Sequence, residues 1–406
     1  MWCAARSSAN EVASPGTTPP QKPMIVAGPI EFRQEGLPSL AVIEREWREL
    51  ETVARPSFFT SWHWIGTLLA ILPEASRPSL LRGSVRGETV ALALLGARLV
   101  RRRHGLIRSR SLYLNETGDP TFDSLTIEHN GLLVAVAHET AARDALIAWF
   151  AGNGADADEL HISGSLMEVS ETAVETCGLR RREITVPSYH IDLRRLFPSC
   201  GELFPILSAN ARQQLRRAVR YFECSGPLQL RRAATIAEAD EFFAALKELH
   251  SASWEQRGEQ HAFTTPFFES FHRLLIRRSL DAGATEVFKA SAGDRVIGYL
   301  YNFRLQGRVY AYQSGFAYDD RAARPGAVTH AMAIRDAYRS GATIYDFLAG
   351  RNQLKESFST RCEPMMWQVI QQPRLAFRLE DLARGVKDAV GGGLTDLWRR
   401  KQMLPR

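Results

Sequence analysis

The segment 309–358 constrains the fold more than any other part of the chain. It reads VYAYQSGFAYDDRAARPGAVTHAMAIRDAYRSGATIYDFLAGRNQLKESF. Its aromatic start predicts a strand, the pair Pro325-Gly326 favours the start of a helix, and Ser340-Gly341 favours its end. A second strand is predicted at 343–348. Strand, glycine turn, helix and strand form an arrangement that presents helix-terminal N–H groups to a phosphate, so we expect an α/β fold with a mixed sheet.

Length and composition indicate a globular protein. The chain has 406 residues, enough for two domains of ordinary size, with 45% hydrophobic and 24% charged residues. The longest apolar run, Val90–Leu95, is far shorter than the roughly 20 residues of a membrane span. Residues 1–24 are rich in Ser, Thr, Pro and Ala and lack the apolar stretch of a secretory signal, which predicts a disordered tail. We therefore expect a cytoplasmic protein without a transmembrane segment, leaving peripheral membrane contact open.

The cysteines and the charge narrow the chemistry. No CxxC pair or Cys/His spacing predicts a metal site or a disulfide framework, so we expect reduced thiols and no metal. The cysteines are Cys3, Cys177, Cys200, Cys224 and Cys362. The net charge is +6, and arginine clusters along the chain. Such clusters form a solvated surface or attract a polyanion: nucleotide phosphates, an anionic glycan or a membrane face.

Two halves of the chain repeat the same pattern. The predicted hairpins 86–99 and 292–305 both have a glycine followed by an acidic residue at the turn. Asn130-Gly131 precedes an apolar stretch as Pro325-Gly326 does, and we predict a helix after each. A short strand then ends near Gly164 in the first half and near Gly350 in the second. The shared order favours duplication of one unit over a chance match.

The elements of the second half follow from periodicity and turn signals. A last strand at 366–371 is predicted to close the sheet, and the residues after Pro373 are predicted to form a basic tail. The other predicted elements are helices at 208–223, 236–254, 266–282 and 326–340 and strands at 228–232, 286–290, 295–305, 308–315 and 343–348.

Several of these residues resemble one acyltransferase family. The residues are the run 212–217 (RQQLRR), His250 with Trp254 and Arg257-Gly258, the run 312–316 (YQSGF), Arg324-Pro325-Gly326, and Asp346-Phe347-Leu348 with Gly350 and Lys355. Together they resemble the GNAT superfamily. More narrowly, they are similar to the CelD-like acetyltransferases of cellulose and exopolysaccharide biosynthesis, which are related to the Fem-type aminoacyl transferases. The resemblance covers about 55–372 and is strongest over 208–360.

This resemblance implies a domain plan of two tandem GNAT-like α/β domains. The expected boundaries are a disordered tail at 1–24, an N-terminal GNAT-like domain at 25–195, a C-terminal acyl-CoA-binding domain at 196–373 and a basic tail at 374–406.

The same resemblance implies acetyl-CoA or another acyl-CoA as cosubstrate. Its pyrophosphate would meet the start of the helix and nearby arginines, and its pantetheine arm would pair with a strand edge. The implied cofactor-binding residues are Tyr312, Gln313, Ser314, Arg321, Arg324, Gly326, Ala327 and Val328. Arg324 stands where the family pattern Arg/Gln-x-x-Gly-x-Gly/Ala has its first glycine, and Leu354 stands where the family often has tyrosine. A plain helix start and core-packing tyrosines are the structural alternatives.

Three residues are candidate catalytic groups. His250 could take the proton of an attacking amine, or could be a structural histidine at the rim of an apolar helix face. Asp346 could act as a base or orient the amine, against a hydrogen bond at the end of its strand. Lys355 could bind an anionic substrate or a cofactor phosphate, against an exposed loop lysine. Glu356 is a weaker candidate base.

The predicted reaction is the transfer of an acyl group, most simply acetyl, from acyl-CoA to a primary amine between the two domains. The acceptor would be a small molecule or glycan, such as an amino sugar or an exopolysaccharide precursor, and no nucleic acid is expected. Two alternatives stay open: a Fem-like transferase that uses aminoacyl-tRNA, and a non-catalytic scaffold in polysaccharide biosynthesis. The chain has no GxSxG, HExxH, GxxxxGK[ST] or HHxxxDG motif, so metal and covalent-serine mechanisms have no support.

Overall fold

The protein is a mixed α/β structure built on one large sheet. The computed structural model describes residues 28–102, 105–152, 156–196, 206–258, 261–318 and 323–380. Both predicted tails, 1–24 and nearly all of 374–406, lie outside these residues. The strands, in chain order, are β1 Glu31–Glu35, β2 Ser79–Val85, β3 Glu88–Arg102, β4 Ile107–Leu114, β5 Leu133–Val134, β6 Glu159–Ser165, β7 Arg180–Asp192, β8 Leu228–Arg232, β9 Thr285–Ala292, β10 Arg295–Leu305, β11 Arg308–Phe316, β12 Ile344–Ala349 and β13 Arg361–Gln371.

The helices lie on both faces of this sheet. They are α1 Leu40–Glu51, α2 Trp62–Ile71, α3 Glu139–Gly152, α4 Glu171–Thr176, α5 Ala209–Glu223, α6 Ile236–Glu255, α7 Pro266–Ser279, α8 Pro325–Arg339 and α9 Gln353–Phe358. Local signals explain several of their starts. Ser208 and Thr235 accept hydrogen bonds from the first turns of α5 and α6, while Pro266 and Pro325 occupy the first positions of α7 and α8.

The strand order shows that the two halves exchange strands. Among the described residues the order is β1-β2-β3-β4-β6-β13-β7-β12-β11-β10-β9-β8, with β5 attached to β3. The strand β7, from the first half, pairs with β12 of the second half, and β13 pairs with both β6 and β7. The prediction that the last strand closes the sheet was therefore wrong. It also begins earlier than predicted, at Arg361, because its register with β7 runs unbroken from there.

Hydrophobic packing joins the halves on one face of the sheet. The helices α1 and α2 of the first half and α6 and α7 of the second share one core there. Trp64 of α2 and Phe271 of α7 stack edge to face with ring centroids 4.8 Å apart. The opposite face carries two separate cores, one under α3 and α4 and one under α5 and α8. The shared face is therefore where a site could draw residues from both halves.

The internal repeat is visible as a repeated element order. The series β2-β3-β4-α3-β6 in the first half matches β9-β10-β11-α8-β12 in the second, and the last strand is parallel to the third in both. The predicted correspondence of Gly164 with Gly350 was wrong by two residues. The pairing of β6 with β13 is interrupted between Ile162 and Ser165, and the pairing of β12 with β7 is interrupted between Asp346 and Ala349. Aligning these two interruptions places Gly164 at the position of Leu348. Both residues are left-handed, with φ of 57° and 63°.

The helix predicted directly after Asn130-Gly131 begins later, at Glu139. The Asn130 side chain instead donates to the Leu114 carbonyl and accepts from the Gly131 N–H, at 2.8 Å each. The next residues pair with β3 as β5. These contacts hold the backbone extended, so local polar bonding overrides the apolar helical pattern. The helix α7 also ends earlier than predicted, because Gly283 turns left-handed at φ 65°.

Candidate active site

The strands β11 and β12 separate soon after they meet. Their parallel pairing covers Arg308–Tyr310 against Ile344–Asp346, and no pair beyond these forms within the described residues. The cause lies in β12, whose register against β7 is interrupted between Asp346 and Ala349. Leu348 sits inside this irregularity with a φ of 63°, a left-handed conformation that costs a non-glycine residue about 1 kcal/mol. The result is a wedge-shaped gap that leaves one edge of β11 free beyond Tyr310.

A buried carboxylate lies where the gap begins. Asp346 is fully buried, and its Oδ2 atom lies 2.6 Å from Nη1 of Arg308 and 3.0 Å from Nε2 of His129. Its Oδ1 atom accepts a 2.8 Å hydrogen bond from the N–H of Leu348. Burial alone would raise the pKa of Asp346, but His129 and Arg308 hold it well below its ordinary value. Asp346 is therefore a fixed anion, held by one residue from each half of the chain and by the bulged strand.

His129 is the residue that brings the first half into this cluster. It follows Glu128 in the loop before β5, and its φ of 48° is left-handed. The side chain is only 8% exposed, and its ring centroid lies 5.3 Å from that of Tyr310. Its backbone carbonyl accepts a 2.8 Å hydrogen bond from Ser57. Within the described residues, Nδ1 has no hydrogen-bond partner, so an imidazole anchored by Asp346 keeps one nitrogen free.

The neighbouring Glu128 and Lys355 hold the end of β12. Glu128 accepts a 2.7 Å hydrogen bond from the Ala349 N–H. The ammonium of Lys355 donates to the carbonyls of Ala349 at 2.6 Å and Leu348 at 3.2 Å. Burial raises the pKa of Glu128 and lowers that of Lys355. The predicted role of Lys355 in binding an anion thus competes with carbonyl contacts that stabilise the left-handed turn.

His250 lies in a different cluster from Asp346. From α6, its Nδ1 atom donates a 2.9 Å hydrogen bond to the carbonyl of Ser314 on β11. Its ring stacks on Trp254 at 5.5 Å between centroids, and burial lowers its pKa to about 4. The imidazole is therefore neutral at pH 7, with the proton on Nδ1 and a lone pair on Nε2. Of the three candidate catalytic residues, Asp346 and Lys355 are close enough for the carboxylate to act on the pKa of the ammonium, whereas His250 contacts neither within the described residues.

The other predicted site residues of β11 are Tyr312, Gln313 and Ser314, and they have different contacts. Tyr312 is surrounded by the rings of Phe268 and Phe303, and its hydroxyl donates to the carbonyl of Leu125 from the first half. Gln313 and Ser314 are half-buried and pair with β10 on the other edge of β11. The aromatic partners of Tyr312 agree with the core-packing alternative. Its hydroxyl contact, like the His129–Asp346 contact, crosses from one half to the other.

The start of α8 opens onto a separate cavity. Arg324, at the position of the family's first glycine, has a φ of 52° and caps the helix in the left-handed region that glycine favours. Its carbonyl accepts from the N–H groups of Ala327 and Val328 at 3.0 and 3.4 Å. A cavity of about 300 Å³ is lined by Arg324, Gly326 and Ala327, together with residues of α5 and α9. A Cβ atom at Gly326 would lie 3.0 Å from the ring of Phe316, which explains the glycine.

The remaining predicted phosphate-binding residues are Val328 and Arg321. Val328 is fully buried in the core under α5 and α8. Arg321 lies outside the described residues. Where the chain is described, no group of three or more His, Cys, Asp or Glu side chains could hold a metal ion. No helix in that part is long and apolar enough to cross a membrane.

The corresponding gap in the first half is filled by the protein itself. Between β4 and β6, the Asn115 amide donates to Asn130 Oδ1 at 2.9 Å and to the Gly131 carbonyl at 2.7 Å. Ser165 donates to the Asn130 carbonyl at 2.6 Å. These bonds occupy the space that the second half leaves open. The two units of the repeat therefore differ at this gap.

The sequence patterns did not indicate Glu128, His129 and Arg308 as site residues. The polar run Glu128-His129-Asn130 was a signal, since three consecutive polar residues precede a stretch read as an apolar helix. Nothing local in the sequence links it to Asp346, because the contact depends on how the halves join.

Comparisons with known proteins agree with this architecture. Residues 209–356 match the family described as acetyltransferase (GNAT) domain. The crystal structure of FemX is similar with a TM-score of 0.56 and 11% identity, covering 86% of this chain and 99% of that chain. A tandem GNAT protein from the clavulanic acid biosynthesis pathway has a TM-score of 0.41 and 12% identity, covering 85% and 99%. A search of curated proteins found no significant match.

These findings define the class of the fold. It is a mixed α/β fold of the GNAT and Fem-like type, in which residues 209–356 match the GNAT acetyltransferase domain. The similarity to FemX, at 11% identity, shows the fold alone. The predicted fold class is confirmed, and the residues that act in this chain follow from its own geometry.

Proposed function

We propose that the protein is an N-acyltransferase that moves an acyl group, most simply acetyl, from acyl-CoA to a primary amine. The observation that carries this proposal is the Asp346–His129 pair, which lies where β11 and β12 separate. A fixed carboxylate behind an imidazole with one free nitrogen is an arrangement suited to general base catalysis. Asp346 lies within residues 209–356, which match the GNAT acetyltransferase domain, whereas His129 comes from outside that range.

The cavity at the start of α8 fits the phosphate-bearing part of the cosubstrate. The positive end of the helix dipole, the Gly326 N–H and the Arg324 guanidinium favour an anion there. Acyl-CoA would supply an acyl thioester, whose C–S bond breaks as the amide C–N bond forms. We assign Arg324, Gly326 and Ala327 to the phosphates, and the free edge of β11 at Tyr312, Gln313 and Ser314 to the pantetheine arm.

The remaining residues are assigned by their contacts. His129 takes the proton of the amine, and Asp346 orients the imidazole. Backbone N–H groups of β11 polarise the acyl carbonyl. His250 holds Ser314 and therefore positions the strand, while Lys355 holds the bulge of β12. Both are positioning residues, whereas sequence analysis offered them as catalytic.

Calorimetric titration with acetyl-CoA tests the cosubstrate. We expect micromolar binding, and we expect it to be abolished by the double substitution Gly326→Asp with Arg324→Glu, which places two carboxylates at the helix start. Release of CoA thiol with a panel of amines then tests transfer. A folded protein that binds neither acetyl-CoA nor longer acyl-CoAs would contradict the proposal and favour the non-catalytic scaffold.

A second candidate is a Fem-like transferase that uses aminoacyl-tRNA. The overall similarity to FemX, which covers 86% of this chain, supports this candidate. Titration with tRNA, run beside the acetyl-CoA titration, separates the two. For the acyl-CoA enzyme, the acceptor class suggested by the CelD-like resemblance is an amino sugar or an exopolysaccharide precursor.

A further inference from the structure

The first half contains a cavity that ends at His129. It has a volume of about 230 Å³ and lies beside the filled gap between β4 and β6. Arg55 and Ser57, from the segment between α1 and α2, form one side, and Glu139 and Arg143 of α3 form another. His129 also lines it. The cavity therefore borders the residue that pairs with Asp346, and it is separate from the cavity at the start of α8.

The charges of this cavity are not neutralised by the protein. The guanidinium groups of Arg55 and Arg143 have no ion-pair or hydrogen-bond partner among the residues that the structure describes. Glu139 also lines the cavity, but neither arginine lies within ion-pair distance of its carboxylate in the described chain. Two cations against one anion leave a positive cavity. Arginine binds carboxylates and phosphates through paired N–H donors, so such groups are the natural occupants.

His129 supplies a second, independent sign of a ligand. Its side chain is 92% buried, since only 8% is exposed, and its Nδ1 atom forms no hydrogen bond within the described residues. That nitrogen is therefore available to a partner from outside the chain. An acceptor amine at this nitrogen would place the rest of the acceptor toward Arg55 and Arg143.

Resting on the proposed function, we propose that this cavity is the acceptor site and that it selects amines that also carry a phosphate or a carboxylate. The arginines bind the anionic group, and His129 receives the proton of the amine. The volume is below the roughly 300–1,000 Å³ of pockets for drug-sized ligands. The cavity therefore fits a small acceptor, or the amine-bearing end of a larger one.

Matched pairs of amines test this selectivity. Acetyl transfer is measured with glucosamine against glucosamine 6-phosphate, and with propylamine against β-alanine. We expect kcat/KM to be at least tenfold higher for the charged member of one pair, which also tells phosphate from carboxylate. Arg55→Ala and Arg143→Ala should each lower this kcat/KM ratio roughly tenfold, because each loses charge-assisted hydrogen bonds. Arg55→Lys should keep part of it, and Arg45→Ala, on the exposed face of α1, should keep all of it.

Binding without acetyl-CoA separates this inference from the proposed function. Glucosamine 6-phosphate and β-alanine are titrated into the full chain, and binding should be lost in Arg55→Ala and Arg143→Ala. If that loss is seen in a protein that does not bind acetyl-CoA, the anion site stands and the proposed function fails. If acetyl transfer occurs with no preference within either pair, or if binding is the same in the variants, the acceptor site is overturned. A folded protein that binds neither anion overturns it as well.

Discussion

The Nε2 atom of His129 lies 3.0 Å from the Oδ2 atom of Asp346, and this contact joins the first half of the chain to the second. His129 comes from a loop that packs against β6, and Asp346 comes from the strand that leaves β11. The two strands that the halves exchange, β7 and β13, lie between them in the sheet. The candidate site therefore exists only when both halves fold together.

Replacing His129 should impair transfer without weakening cosubstrate binding. For His129→Gln we expect kcat/KM for the amine to fall about 10²- to 10⁴-fold, because a positioned base is lost. The dissociation constant of acetyl-CoA, measured by calorimetry, should stay within twofold. His63→Gln, a half-buried histidine of α2 away from the cluster, is the matched control. Equal activity of His129→Gln and the wild type would remove His129 from the mechanism.

Asp346→Asn should destabilise the protein in a pH-dependent way. The substitution leaves Arg308 and His129 facing an uncharged amide, which should cost about 3–5 kcal/mol at pH 7. Because the folded pKa of Asp346 is lowered, its contribution is complete above the unfolded value of about 3.9 and is lost as the pH falls below it. Urea unfolding at pH 7, 5 and 3.5 should show an unchanged difference between the first two and a smaller one at the third. A difference that shrinks already between pH 7 and 5 would contradict this account.

Glu116 should make the protein less stable as the pH rises. Burial, followed by repulsion from Asp123, raises the pKa of Glu116 to about 8, and burial raises that of Asp123 to about 6. A carboxyl group with a raised pKa in the folded protein favours folding while it is protonated. This contribution to the free energy of unfolding is complete below the unfolded pKa of about 4.3 and is lost as the pH rises through the folded pKa. The free energy of unfolding should therefore fall between pH 5 and 8.5. Glu116→Gln should flatten this dependence and be the more stable protein at pH 8.5.

Arg324→Gly should separate backbone strain from phosphate binding. Arginine at φ 52° is strained, so glycine should change the free energy of unfolding by less than about 1 kcal/mol. Loss of the guanidinium should weaken acetyl-CoA binding roughly tenfold. Arg86→Gly is the matched control, because Arg86 is an exposed hairpin residue with a φ of 51°. Equal acetyl-CoA affinities of the two variants would exclude Arg324 from the phosphate site.

Lys355→Met should act on stability more than on the acceptor. Its ammonium bonds the carbonyls of Leu348 and Ala349, and removing it leaves buried acceptors unpaired at a cost of about 1–3 kcal/mol. Urea unfolding should show this loss, while KM for the amine changes less than twofold. A stable variant with a sharply raised KM would instead favour the anion-binding role that the sequence suggested.

The sequence predicted the second half of the fold in detail. The strands β10 and β11, the start of α8 and the glycine turn at Gly293 follow from period-two alternation, from Pro325 and from a Gly-Asp turn, which are all local. The fold of the first half was harder to predict from the sequence. Asn130 read as the start of a helix, but its side chain bonds the backbone of β4, a contact that local propensity does not contain.

By itself, the sequence determined most of the elements, their repeated order and the start of α8, because these depend on neighbours a few residues apart. Only the tertiary structure decided which strands the halves exchange, and therefore that His129 meets Asp346 and that Arg55 and Arg143 share a cavity. The physical reason is that strand partners are chosen by pairing and burial across distant parts of the chain. The left-handed turn at Leu348, held by Lys355 and Glu128, is what opens the gap. No single segment encodes that opening.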